Sequence, residues 1–192
     1  MKIYTGRGDN GTAGLLSGER ISKSHERIEA LGDIDELTSA LGIVRMSIRQ
    51  GDEEVGREIR DIQSNLLKLG AQIATWRDSP EAERYSGVGE ADARTLETAI
   101  DRIQEILPVL ENFLLPFGHP AAVHAQMARS VCRRAERHVV RLSVQVSVGK
   151  PPKVLKWALV YLNRLSDYLF VAARYLNFRA GVPDDLWLDS QA

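Results

Sequence analysis

Arg129, Arg133, Arg134, Arg137 and Arg141 crowd a segment whose other positions read as the buried side of an amphipathic helix. Arg129, Arg133 and Arg137 stand at i, i+4 and i+8, so they climb one face, each turned slightly from the last. Guanidinium groups this close repel unless something anionic sits among them, and their planar fork grips phosphate oxygens in pairs. Glu136 is the only carboxylate in the stretch, so the helix cannot neutralise itself. Either other segments supply acids or a polyanionic ligand does. A solvated face with scattered salt bridges is the competing reading.

A second stretch has phosphate chemistry in its composition. Thr5-Gly6-Arg7-Gly8-Asp9-Asn10-Gly11-Thr12-Ala13-Gly14 is rich in glycine, which permits positive φ and lets backbone amides approach a ligand. Gly6 and Gly11 have the spacing of a Walker loop, but Thr12 stands where its lysine belongs, so this is not one. Thr5 and Thr12 offer hydroxyls, Asp9 can order the turn or meet magnesium, and Lys23 can reach back toward phosphate. A terminal tail with no ligand is the alternative.

Asn163, Arg164 and Asp167 form a third polar group, set into an otherwise apolar helix. Asn163 and Asp167 share a face, Arg164 and Asp167 can pair at i, i+3, and Asn163 can both donate to and accept from a ribose or base. Asp33, Asp35 and Glu36 are natural partners for one arginine. The histidines point away from di-iron chemistry, because positions three before His25, His119, His124 and His138 carry no acid. His119 and His124 flank a helix start, where capping or packing suits them.

Five helical patterns position these groups. The first runs from about Ser24 to Ile48. The second carries Val55, Ile59, Ile62, Leu66, Leu69 and Ile73 at steps of four and three. Asp78-Ser79-Pro80, Gly87 and Gly89 mark a polar connection. The third pattern extends from Leu96 to Leu110, followed by a proline-broken apolar loop from Asn112 to Pro120. The fourth starts near Pro120, where proline suits a first turn, and ends around Leu142. The fifth spans Lys153 to Phe178. Val144 to Val148 is the one stretch with a strand-like alternation. The fold predicted is all-α, a five-helix up-and-down bundle behind a glycine-rich N-terminal loop. It is read as one domain over 1–192, with a head at 1–23, a bundle at 24–180 and a tail at 181–192.

Composition narrows the function classes. The 192 residues are 44% hydrophobic, enough for one substantial core. With 25 basic and 26 acidic residues the net charge is −1, so no global field favours nucleic acid or an anionic membrane, and any cationic site is local. The single cysteine, Cys132, falls in the apolar seam of the arginine helix and reads as a small buried hydrophobe. No signal core is visible at the start, and prolines break the longest uncharged run. A cytoplasmic protein is expected.

Several separated motifs then converge. Lys2-Ile3-Tyr4-Thr5 with Gly8-Asp9 and Gly11, Gly18-Glu19-Arg20 with Ser22-Lys23, and Gly32 with Asp35-Glu36-Leu37 come first. Phe113-Leu114-Leu115-Pro116, Ala128-Arg129, Arg133-Arg134-Ala135-Glu136-Arg137 and Tyr161-Leu162-Asn163-Arg164-Leu165-Ser166-Asp167 follow. In that order and spacing they resemble the PduO-type ATP:cob(I)alamin adenosyltransferases along nearly the whole chain. The resemblance implies transfer of the 5′-deoxyadenosyl group of ATP to cob(I)alamin, forming adenosylcobalamin and releasing triphosphate. It implies a homotrimer with ATP between subunits, Mg2+ carried by the ATP phosphates, and ATP and cobalamin as co-substrates.

The resemblance also implies the contacts. ATP would meet Thr5, Gly6, Arg7, Gly8, Asp9, Ala13, Gly14, Lys23, Arg133, Arg134, Ala135, Glu136, Arg137 and Asn163. Asp35 would pair with Arg133 across the subunit interface. Phe113 would fill the space beneath the corrin ring and exclude the lower axial ligand. Arg133, Arg137, Phe113 and Asp35 would therefore carry the catalysis. A reductase supplying cob(I)alamin from cob(II)alamin, and an adenosylcobalamin-dependent enzyme, are the expected partners. The chain departs from the family at Pro116-Phe117-Gly118, where Pro-Gly-Gly is usual, and in a longer connection from Ser143 to Pro152. A cobalamin carrier or a helical nucleotide sensor are the readings from other classes.

Overall fold

A computed structural model describes residues 2–75, 87–146 and 153–187. Its elements are β1 (Thr12–Gly14), β2 (Arg20–Ser22), α1 (Glu26–Met46), α2 (Glu53–Thr75), α3 (Glu90–Gln104), α4 (Pro120–Val146) and α5 (Lys153–Arg179). The expected five-helix bundle is there, and most of each helix falls where the apolar spacing put it. The head is not wholly loop, since β1 and β2 pair antiparallel with Ala13 opposite Ile21. Strands of three residues carry no periodic signal to read. The polar connection at Asp78-Ser79-Pro80, residues 147–152 of the long connection and residues 188–192 lie outside the described residues.

The buried residues explain the packing. In α2 they are Val55, Ile59, Ile62, Leu66, Leu69 and Ile73. In α4 they include Ala121, Ala125, Ala128, Cys132, Ala135, Val139 and Leu142; in α5, Leu155, Ala158, Leu162, Leu165, Leu169, Ala172 and Leu176. All three rows step by alternating threes and fours, the period of helices wound gently about one another. Small side chains on α4 let its neighbours approach closely. α4 and α5 run antiparallel: His119 meets Asn177 at one end, while Cys132 donates to the Leu162 carbonyl further along.

Two boundaries differ from the spacing. α3 stops at Gln104 although Leu107 and Leu110 continue the apolar pattern, because Pro108 cannot extend a helix. α4 continues through Val146, so Val144 to Val146 are helical and not strand. His119 caps α4, its Nδ1 accepting from the Ala121 amide at 3.3 Å. Among the described residues no helix is long and apolar enough to cross a membrane.

Cys132 is fully buried, and burial pushes its thiol far above the ordinary cysteine range. The thiolate is the reactive form. Iodoacetamide is therefore expected to leave Cys132 unmodified in the native protein and to label it once denaturant is added. Rapid labelling without denaturant would contradict this burial.

Gly118 closes the loop before α4 with φ +119, a conformation open to glycine. A methyl group there would collide with Asn177 Oδ1. Asn177 is not free to retreat: its Nδ2 donates to the Phe117 carbonyl and its Oδ1 accepts from the His119 amide, both at 2.9 Å. Gly118→Ala is expected to destabilise the fold by about 2 kcal/mol or more, read from the urea midpoint. An unchanged midpoint would refute the clamp.

Candidate active site

The seam of α4 dictates where its arginines go. With Ala128, Cys132 and Ala135 inward, Arg129 flanks the buried row while Arg133 and Arg137 turn progressively outward. Arg129 lies half-buried over the Phe170 ring at 6.0 Å, and its Nε donates to Gln126 Oε1 at 2.8 Å. Burial first, and then the nearby Arg133 guanidinium, hold Arg129 below its ordinary pKa. Arg133 is exposed, and Arg137 Nη1 donates to the Arg133 carbonyl at 3.0 Å. Among the described residues no carboxylate forms an ion pair with Arg129, Arg133 or Arg137.

Arg134, on the same helix, is placed differently. Arg134 Nε donates to Asp33 Oδ1 at 3.1 Å and its Nη2 to Glu36, which raises the Arg134 pKa, the Asp33 bond being the largest cause. The acidic cluster of α1 does meet one arginine, through Asp33 and Glu36; Asp35 is exposed and pairs with none among the described residues. His138 Nδ1 stands 2.6 Å from the other oxygen of Asp33. Ala135, expected among the ligand contacts, is fully buried because helical rotation turns its side chain into the core. Arg134 is likewise occupied. Of the α4 arginines expected to meet ATP, Arg133 and Arg137 are the exposed ones; Arg141, one turn further on, is exposed as well.

Asn163 connects α5 to the same face. Its Nδ2 donates to Glu136 Oε1 at 3.3 Å, and its Oδ1 accepts from Arg164 Nη1 at 2.9 Å. Arg164 pairs mainly with Glu97 of α3 at 2.7 Å, and the expected Asp167 partner lies at 3.9 Å. A cavity of about 470 Å³ opens here between α3, α4 and α5, lined by Arg129, Arg133, Arg164, Asp167 and Phe170. Glu97 was the member that sequence alone did not show, since a lone acid on an exposed helix face looks like any other.

The head folds into tight turns with Gly6 and Gly11 at φ +68 and +73. Asp9 N donates to Gly6 O and Gly11 N to Gly8 O, while the amides of Gly6, Gly8 and Asn10 find no acceptor among the described residues. Lys23 does reach back: a methyl added at Gly8 would stand 3.3 Å from its ammonium nitrogen. Arg20 ties the turn together, its Nη2 donating to Thr12 Oγ1 at 2.7 Å and to the Arg7 carbonyl at 2.5 Å. Thr5, Arg7 and Asp9 are exposed, and Ala13 and Gly14 lie in β1. Glu19 anchors the head to the bundle through the buried Arg27, at 2.8 Å. No hydrogen bond or ion pair among the described residues joins this head to α4 of the same chain.

Phe113 sits at the far end of the bundle, 81% exposed, with its ring edge-on to Trp187 at 6.5 Å between centroids. Phe117 is also exposed in the loop. With the exposed Trp187 beside it, Phe113 forms an aromatic surface patch, and such patches mark ligand or partner faces.

The cobalamin adenosyltransferase family model matches residues 3–176. The chain belongs to that family. Among its relatives, a corrinoid adenosyltransferase of Bacillus subtilis is 39% identical over 186 residues, spanning 96% of this chain and 91% of the relative. A cobalamin adenosyltransferase of Cupriavidus metallidurans is 37% identical over 97% of this chain and 94% of its own. Two solved structures of a PduO-type enzyme from Lactobacillus reuteri share the fold. A phenylalanine-to-alanine variant complexed with cobalamin and ATP gives a TM-score of 0.87 at 33% identity, covering 98% of this chain and 100% of that one. An arginine-to-lysine variant complexed with ATP gives 0.85 at 32%, covering 97% and 100%.

Proposed function

We propose that the chain transfers the 5′-deoxyadenosyl group of ATP to the cobalt of cob(I)alamin, yielding adenosylcobalamin and triphosphate. The observation that carries this reading is the unneutralised face of Arg133 and Arg137. The cobalt lone pair attacks C5′, the new Co–C bond forms, and the C5′–O bond breaks with its electrons passing to triphosphate. No side-chain nucleophile takes part. The protein positions the reactants and stabilises the growing charge on the leaving group.

Arg133 and Arg137 hold triphosphate oxygens, joined by Lys23 and the amides of Gly6, Gly8 and Asn10. Thr5, Arg7 and Asp9 border the same cradle. Asn163 takes the ribose side, held in place by Glu136. As the family resemblance implies, the cradle of one subunit meets the arginines of the next in a homotrimer; the want of any hydrogen bond or ion pair between head and α4 among the described residues supports this reading. Asp35, exposed and unpaired, supports that contact by meeting Arg133 of a neighbour. Mg2+ arrives on the phosphates; among the described residues no group of three or more His, Cys, Asp or Glu side chains builds a site for it.

Phe113 fills the space under the corrin and removes the lower ligand, which makes Co(II) easier to reduce. Phe117 adds bulk at the same edge. A reductase delivers the electron, and an adenosylcobalamin-dependent enzyme takes the product. The test is anaerobic incubation with cob(I)alamin, ATP and magnesium. Conversion of the absorbance spectrum to light-sensitive adenosylcobalamin, with one triphosphate per cobalt, is expected. Release of orthophosphate without a Co–C bond would overturn the reading.

A further inference from the structure

Phe113 belongs to an irregular stretch between α3 and α4, and such stretches wander unless pinned. Here the pins come from the other end of the chain. α5 ends at Arg179, and Gly181, with φ +72, turns the backbone round just beyond it. Residues 182–187 then run back along the loop as a strap. Leu114 and Leu186 form an antiparallel bridge, the Leu115 amide donates to the Asp185 carbonyl at 2.8 Å, and the Trp187 amide donates to the Phe113 carbonyl at 2.7 Å. The strap thus fixes the backbone from Phe113 to Leu115.

One buried charge pair anchors this strap. Arg174, in α5, is 7% exposed and offers both Nε and Nη2 to Asp184 Oδ2, at 2.9 and 2.8 Å. The same Nη2 donates to the Pro108 carbonyl at 2.8 Å, where the loop leaves α3. One guanidinium therefore ties helix, strap and loop entry together. A rigid planar fork can do this; a lysine ammonium is a point charge on a flexible stem. An apolar cavity of about 290 Å³, lined by Leu107, Phe178 and Leu186, adjoins the pair.

We infer that Arg174 and Asp184 are positioning residues for the corrinoid half of the reaction, setting where Phe113 stands without touching ATP. This rests on the reading of Phe113 given above. A misplacement of about 1 Å near reacting groups costs up to about a hundredfold in rate. Arg174→Lys and Asp184→Asn are accordingly expected to raise the corrinoid KM, or slow reaction starting from Co(II), by about tenfold or more. The KM for ATP should stay within about twofold.

The Co(II) spectrum gives the decisive readout, because a merely structural role would not move it selectively. With ATP present, the parent should show the absorbance of cobalt lacking its lower ligand, and both variants should show that feature reduced. Asp184→Asn keeps the side-chain shape, which guards against loss of the fold. Equal decline of the ATP and corrinoid parameters, or no change in either, would overturn the inference. A parent that never loses the lower ligand would instead sink the reading of Phe113 on which it rests.

Discussion

Arg133→Ala is expected to lower turnover by about a hundredfold to a thousandfold, the usual cost of removing one charge-stabilising donor from a transition state. Arg137→Ala should behave alike. Both side chains are exposed, so neither change should disturb the core, and unfolding midpoints should move by no more than about 0.5 kcal/mol. Arg134→Ala is the control. It breaks contacts to Asp33 and Glu36 and so acts through stability, leaving Asp33 with His138. Turnover of Arg133→Ala within about threefold of the parent would remove the arginine face from the chemistry.

Phe113→Ala is expected to leave ATP binding intact and to suppress reaction from Co(II) by about a hundredfold. Reaction from chemically prepared Co(I) should suffer far less, because the ring acts before the cobalt becomes a nucleophile. The exposed ring touches Trp187 and little else, so its loss opens no cavity in the core. Undiminished reaction from Co(II) would remove Phe113 from the mechanism.

Both expectations start from features legible in the chain itself. The arginine face could be read because α4 has an uninterrupted row of small buried residues, which fixes the direction of every other position. The same reasoning placed α2 and α5. It overran at α3, where Leu107 and Leu110 keep the rhythm past Pro108, and it left Val144 to Val146 open to a strand reading although they continue a helix.

What was not legible was pairing between elements. Asp33, Asp35 and Glu36 occupy one turn of α1, and nothing in their order says that Asp33 and Glu36 take Arg134 while Asp35 stays exposed. Glu97 and Arg164 are 67 positions apart, and Arg174 and Asp184 differ little from any other charged pair until the backbone turns at Gly181, beyond α5. The strap over Phe113 is invisible for the same reason: two short extended pieces carry no period. The glycine head gave its chemistry by composition, but the hairpin that shapes it depends on Arg20 reaching back to Thr12 and Arg7.

The most direct measurement is a crystal structure of the protein grown with ATP and magnesium. Triphosphate oxygens within hydrogen-bonding distance of Arg133 and Arg137, and of the Gly6 and Gly8 amides from an adjoining subunit, are the expected result. A nucleotide bound away from α4, with those arginines turned to solvent, would contradict it.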